Sequence, residues 1–295
     1  MRELYALLAE MTARNEAGAV VTVVRTARSA PRHEGSKLVV RADGGIAGSV
    51  GGGEVEARTI EAALAAIGDG RCRRLHFDLR GELSACGGEV EIFVEPLQRR
   101  TPFHIVGYGH VGRAVAATGR ALPFQFLIVD DRPAPAGSPA PADGPAPRTA
   151  GPDEFGAGFT PTPRDLVLVA TRHHALDAAY LEALLAAERR HGGECGWVGV
   201  MASRTKAAHL RAQLRERGYA PERLERLSMP VGLAVGAETP EELAVSILAE
   251  ALAVVRGAAW LRGADGQAQG LWLQARRPAA AAAADAVEPG PGERT

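Results

Sequence analysis

Two spacings of apolar residues alternate along the chain. In residues 89–95, Val90, Ile92 and Val94 stand between Glu89, Glu91, Phe93 and Glu95, the period-two pattern of a strand with one buried face. Residues 20–25 and 37–41 are rich in β-branched side chains and read as strands, and residues 75–79 read as another. Residues 2–17 carry an amphipathic helical pattern, and a second helix is expected over residues 54–67, after a Gly-rich turn. These elements predict a small α+β domain.

Beyond residue 102 strands and helices take turns. Strands are expected at 103–106, 125–129, 166–170 and 197–201, and helices at 111–120, 178–188, 206–217 and 241–255. The last helix has Thr239 as its N-cap, Pro240 at its first position and Glu242 to complete a capping box. Such alternation specifies a parallel sheet covered by helices on both faces. The fold class is therefore α/β, a Rossmann-like parallel sheet domain preceded by a smaller α+β domain.

Local composition sets the boundaries. The polar and basic stretch from Pro96 to Pro102 reads as a linker, giving domains at 1–98 and 103–256. Residues 133–153 are dominated by Pro, Ala and Gly and bury too little to fold, so an exposed mobile insertion is expected there. Residues 257–295 form a tail in which Trp260, Leu261, Leu271, Trp272 and Leu273 could dock, with a low-complexity end expected to be disordered.

Charge and cysteine usage narrow the function classes. With 34 Lys and Arg against 35 Asp and Glu, the net charge is −1, which gives no overall attraction to nucleic acid or an acidic membrane. Three cysteines, Cys72, Cys86 and Cys195, cannot form a disulfide framework and suit a reducing cytosol. The chain lacks CxxC and HExxH motifs, a run of about 18 apolar residues, and the basic and apolar regions of a signal peptide. A cytoplasmic protein is expected.

Glycine is abundant, 35 in 295 residues, and it concentrates where chemistry is expected. Gly107-Tyr108-Gly109-His110-Val111-Gly112 follows a strand and opens a helix, with Asp130 and Asp131 at the end of the next strand. Glycines there let the backbone approach a pyrophosphate, the helix start supplies N–H donors, and an acidic residue suits a ribose hydroxyl. NAD(P) or another nucleotide is one reading of this site; turn and helix packing alone is the other. In Gly48-Ser49-Val50-Gly51-Gly52-Gly53-Glu54-Val55-Glu56, four glycines within six residues suit an anion nest at a helix start. Cys86-Gly87-Gly88 places a thiol on a loop entering a strand, where Cys86 is either a thiolate able to contact a soft metal or a small buried residue. Thr171-Arg172-His173-His174 follows a strand directly, which puts His174 near the ligand crevice of an open α/β sheet, with Asp177 as the expected helix N-cap. Ser203 and Arg204 stand at another strand-to-helix junction, suited to an anion or, for Ser203, to an ordinary cap. Turn geometry accounts for Met229-Pro230-Val231-Gly232-Leu233.

Taken in order, GSVGGGEVE, CGGEVEIFVEP, FHIVGYGHVGRAVA, TRHHALD, GWVGVMASRTKAAHLRAQLRERG and MPVGLAVGAETPEELAVSILAE resemble the XdhC/CoxI family of xanthine dehydrogenase accessory proteins, over most of residues 1–256. The resemblance implies a chaperone that binds molybdenum cofactor in its molybdopterin form. It would protect the cofactor while a cysteine desulfurase exchanges an oxo for a sulfido ligand, then deliver it to a molybdenum hydroxylase such as xanthine dehydrogenase. It also implies a homodimer. The Gly48–Glu56 loop and Cys86-Gly87-Gly88 carry over as cofactor-binding, with Cys86 as a molybdenum contact. Many members hold a cysteine in the first loop; none stands in this one. The expected site is a cleft lined by Gly51–Gly53, Cys86, Gly107–Gly112 and His174, with no catalytic residue assigned. The competing functions are an NAD(P)-dependent oxidoreductase with His174 as acid, and a non-catalytic assembly scaffold.

Overall fold

The computed structural model describes residues 1–28, 32–79, 88–133, 146–262 and 268–273. The chain divides into two compact units, Met1–Arg100 and Thr101–Thr295.

The first unit runs α1 (Arg2–Ala13), β1 (Gly18–Ala27), β2 (Lys37–Arg41), β3 (Ile46–Gly48), α2 (Gly53–Asp69), β4 (Arg73–Asp78) and β5 (Glu89–Pro96). Its sheet has the order β3-β2-β1-β5-β4, with every pairing antiparallel. Alternation decides which face is buried: Ala19, Val21 and Val23 of β1 and Val90, Ile92 and Val94 of β5 join Val55, Ala63 and Ala66 of α2 in one core. Gly70, in the left-handed region at φ 72°, terminates α2. Helix α1 ends at Ala13, short of the expected residue 17. Asn15 adopts φ 54°, and its side chain donates to Arg100 O at 2.9 Å and accepts from Arg100 N–H at 2.7 Å. Asn tolerates this conformation at a helix end, and its amide gives the departing chain an anchor.

The second unit runs β6 (Thr101–Val106), α3 (His110–Thr118), a 3₁₀ turn, β7 (Phe124–Asp130), β8 (Arg148–Thr149), α4 (Pro152–Gly158), β9 (Leu166–Val169), α5 (His174–His191), β10 (Trp197–Val200), α6 (Arg204–Glu216), α7 (Pro221–Glu225), α8 (Pro240–Val255), β11 (Ala259–Arg262) and β12 (Ala268–Leu273). The parallel sheet has the order β10-β9-β6-β7-β8, and β11 pairs antiparallel with β12. The α/β reading with a parallel sheet after an α+β unit is what the structure shows.

Both faces of the parallel sheet are covered, so β9, Leu166–Val169, is apolar and buried at every position. Leu166 and Leu168 pack with Phe103, Ile105 and the α8 residues Ile247 and Leu248. Val167 and Val169 pack on the other side with Val106 and the α5 residues Leu181 and Leu184. Chain order reverses at β6, which has β7 on one side and β9 on the other. A crevice forms outside the strand ends at such a switch point.

Two expectations need correction. The insertion at 133–153 is not loop to its end: β8 pairs with β7, Ala150 is buried and its carbonyl accepts from the Tyr180 hydroxyl, and Pro152 opens α4. A buried alanine and a strand ladder hold this stretch despite its composition; residues 134–145 lie outside the described residues. Helix α5 begins at His174, four residues earlier than expected, because His173 rather than Asp177 is the N-cap, its Nδ1 accepting from Leu176 N–H at 3.3 Å. Of the tail, β11 and β12 are described and residues 263–267 and 274–295 are not. Among the described residues no helix is long and apolar enough to cross a membrane.

Candidate functional site

The Gly-rich turn after β6 divides its work among its glycines. Gly107 has φ 104°, and a Cβ there would fall 2.3 Å from Ala170 O; one on Gly112 would fall 2.2 Å from Gly107 O. These two glycines allow the turn to pack on the start of β9's loop and on α3. Gly109 is different: a Cβ there would meet nothing within 4 Å. It borders an open crevice of about 510 Å³ at the carboxyl ends of β6, β7 and β9, within the size range of small-molecule sites.

The polar wall of this crevice is cationic. Arg113 lies over the Tyr108 ring at 5.5 Å and its Nε donates to Tyr108 O. Arg132 and Arg172 come from the loops after β7 and β9. Arg172 Nη1 donates to Asp131 at 2.6 Å, and Arg132 Nε donates to Asp130 Oδ1 at 3.1 Å. The N-terminus of α3 adds backbone donors and the positive end of its dipole.

Asp130, expected to take a ribose hydroxyl, is engaged within the protein. Its Oδ2 accepts Tyr108 N–H at 2.8 Å, and its Oδ1 accepts the N–H and Nε–H of Arg132. Burial alone would raise its pKa, but the hydrogen bonds from Arg132 and Tyr108 outweigh it and hold the carboxyl below its ordinary value. Asp130 thus ties the end of β7 to the turn after β6.

His174 is the first residue of α5, exposed, and not among the residues lining the crevice. Asp177 folds back instead, its Oδ1 accepting Thr171 N–H at 2.8 Å and the Thr171 hydroxyl at 2.7 Å. Burial raises the Asp177 pKa despite these bonds. Ser203 caps α6 by accepting from Lys206 N–H at 3.3 Å, and Arg204 begins that helix on the surface; neither lines the crevice.

In the first unit, the loop expected to nest an external anion holds one of its own. Glu56 Oε2 accepts from the Ser49 hydroxyl at 2.7 Å, Val50 N–H at 3.1 Å and Gly52 N–H at 3.3 Å, while Gly51 N–H turns to Ser49 Oγ. Burial opposes ionisation of Glu56, yet these bonds together lower its pKa. Gly48 serves the sheet: its φ is 89°, and a Cβ would lie 2.4 Å from Lys37 O across the β2–β3 pairing. Gly52 and Gly53 have positive φ with open space around them, and Glu54 pairs with Arg58 on the surface of α2. Gly88 is buried and its carbonyl accepts Leu79 N–H at 2.8 Å; Cys86 and Gly87 lie outside the described residues.

The structure therefore brings Gly107, Gly109 and Asp130 to one crevice, with Gly112 packed beneath the turn. Sequence reasoning missed Glu56 as the loop's own anion and Arg113 and Arg132 as the crevice's cations. Arg132 was signalled by its place directly after Asp130 and Asp131.

Residues 103–251 match the family model of the XdhC Rossmann domain, and residues 11–78 match that of the XdhC and CoxI family. The chain is 35% identical over 250 residues to YqeB of Escherichia coli strain K12, an uncharacterized protein, covering 81% of this chain and 44% of that one. It is 28% identical over 161 residues to a probable xanthine dehydrogenase subunit of Bacillus subtilis strain 168, covering 55% of this chain and 45% of that one. The chain spans less than half the length of these curated relatives. A crystal structure of a xanthine dehydrogenase from Bacillus halodurans aligns over 85% of this chain and 95% of its own, at 20% identity and a TM-score of 0.45.

Proposed function

The chain belongs to the XdhC/CoxI family, and on that premise we propose that it serves the maturation of a molybdenum hydroxylase of the xanthine dehydrogenase class, holding molybdenum cofactor as cargo and passing it on. The observation that carries this reading is the arginine-walled crevice of the second unit. Its donors are guanidinium groups and main-chain N–H groups at a helix start, a set that holds an anion reversibly.

Molybdopterin ends in a phosphate, and that group fits this donor set. Gly109 lets the ligand approach the backbone, the start of α3 offers N–H donors, and Arg113, Arg132 and Arg172 supply charge. The cargo's molybdenum carries the chemistry of the hydroxylase that receives it; the residues of the crevice bind and release it. The finer proposals follow from family membership: Cys86 contacts the molybdenum, a cysteine desulfurase sulfurates the held cofactor, and the protein works as a homodimer.

Anaerobic purification with cofactor, followed by assay of bound molybdenum and pterin, tests the reading. About one pterin per chain is expected in the wild type, with loss on Arg172→Gln and activation of an apo-hydroxylase by the loaded protein. Loading near zero in the wild type, or loaded protein that activates no hydroxylase, would overturn it.

A further inference from the structure

One corner of the crevice reverses what a dinucleotide site of the NAD kind requires. Such a site keeps a carboxylate at the end of its second strand ready to accept ribose hydroxyls. Here that carboxylate is Asp130, 7% exposed, and both its oxygens already accept from Tyr108 and Arg132. A ribose diol arriving there would meet a carboxylate that already takes three donors from the protein, not a free one.

The group presented in its place is a guanidinium. Arg132 uses its Nε on Asp130, which orients the side chain, while its terminal NH2 groups make no hydrogen bond among the described residues and the side chain is 55% exposed. Across the same corner Asp131 orients Arg172, whose side chain is 41% exposed. Two carboxylates thus aim two guanidinium forks. Donors of this geometry match a tetrahedral oxyanion, and charge-assisted bonds to phosphate are the strong class.

We propose that the crevice also takes a nucleotide whose ribose bears a phosphomonoester, with Arg132 as the residue that selects it and Arg172 beside it. The diphosphate or 5′-phosphate of that nucleotide lies toward Gly109 and the start of α3, and the ribose phosphate lies at the Arg132 corner. The volume of about 510 Å³ accommodates a nucleotide. This assignment rests on the reading of the crevice as an anion site, and is independent of which cargo the protein carries.

The test is a calorimetric titration of the full chain with 2′,5′-ADP and, separately, 5′-AMP. The wild type is expected to prefer 2′,5′-ADP by about tenfold or more, the scale of one charge-assisted bond. The preference is expected to shrink below pH ~6, where a phosphomonoester loses its second charge. Arg132→Gln should reduce the preference to about threefold or less, with the larger loss falling on 2′,5′-ADP. NADPH against NADH, and 3′-phosphorylated against unphosphorylated nucleotide, separate the sources of the phosphate. Equal affinities in the wild type, tighter binding of 5′-AMP, or no binding of either at millimolar concentration would overturn the proposal. The wild-type comparison decides it even if the variant fails to fold. Pterin loading with no nucleotide preference would leave the maturation reading standing alone; preference without pterin loading would do the reverse.

Discussion

The carboxylate of Glu56 lies 2.7 Å from the hydroxyl of Ser49, and through that contact the Gly-rich loop of the first unit closes on a residue of its own helix. The same oxygen takes the N–H groups of Val50 and Gly52. A loop composed like an anion nest is thereby held in shape without an external anion.

Glu56→Ala should therefore cost stability, about 1–3 kcal/mol at pH 7 for donors left without their acceptor. The folded pKa of Glu56 is lowered, so its contribution is full above the unfolded value of about 4.3 and fades as pH falls through the lower folded value. Urea denaturation at pH 7 and near pH 3 checks this. A loss just as large in acid would show that the carboxylate charge is not what holds the loop.

Asp177 has the opposite sign. Its folded pKa is raised by burial, so ionisation opposes folding at neutral pH and the opposition fades as pH falls through the folded value. Asp177→Asn keeps an oxygen for Thr171 and is expected to match or exceed wild-type stability at pH 7. Asp177→Ala removes the acceptor and should lose about 1–3 kcal/mol. Thermal melts of the three proteins between pH 4 and 7 discriminate; an Asn variant as damaged as the Ala variant contradicts the argument.

Two glycines of one turn should respond differently to the same methyl group. Gly107→Ala meets Ala170 O at 2.3 Å with φ at 104°, and should destabilise by roughly 2 kcal/mol or more. Gly109→Ala meets no atom within 4 Å, so it should leave the melting temperature almost unchanged while weakening ligand binding in the crevice. Differential scanning fluorimetry with and without 2′,5′-ADP reads both effects.

The buried pair Glu188 and Arg223 closes through two bonds of 2.7 and 2.8 Å, with side chains 5% and 10% exposed. Removing one partner strands a charge, so Glu188→Ala should cost about 3–5 kcal/mol. Replacing both by Met should recover only part of that loss, because the buried Cys195 N–H, which donates to Glu188 Oε1 at 2.8 Å, is left without its acceptor. Chemical denaturation of the single and double variants measures the coupling.

Strong local patterns were legible before the structure. The Val90, Ile92 and Val94 alternation became β5, and the capping box at Thr239 and Glu242 is present. Short elements were not: β3 and β8 have three and two residues and exist because a neighbouring strand offers them a ladder. In the crevice, Gly107, Gly109 and Asp130 were visible as types in a spacing. Their division of labour was not, because whether Asp130 faces a ligand or the Tyr108 amide depends on how two strands end beside each other. The same holds for Glu56, whose partners lie around a turn rather than along one helix face.

The central position of β1 in the first sheet has a consequence for synthesis. Its neighbour β2 follows within a short stretch, but its other neighbour, β5, is the last strand of the unit. As the chain leaves the ribosome, the β5 side of β1 keeps its backbone N–H and C=O groups unpaired until residues 89–96 are made, so the first sheet closes late, with a strand edge open until then. Translation speed around residues 73–96 then sets how long that edge waits.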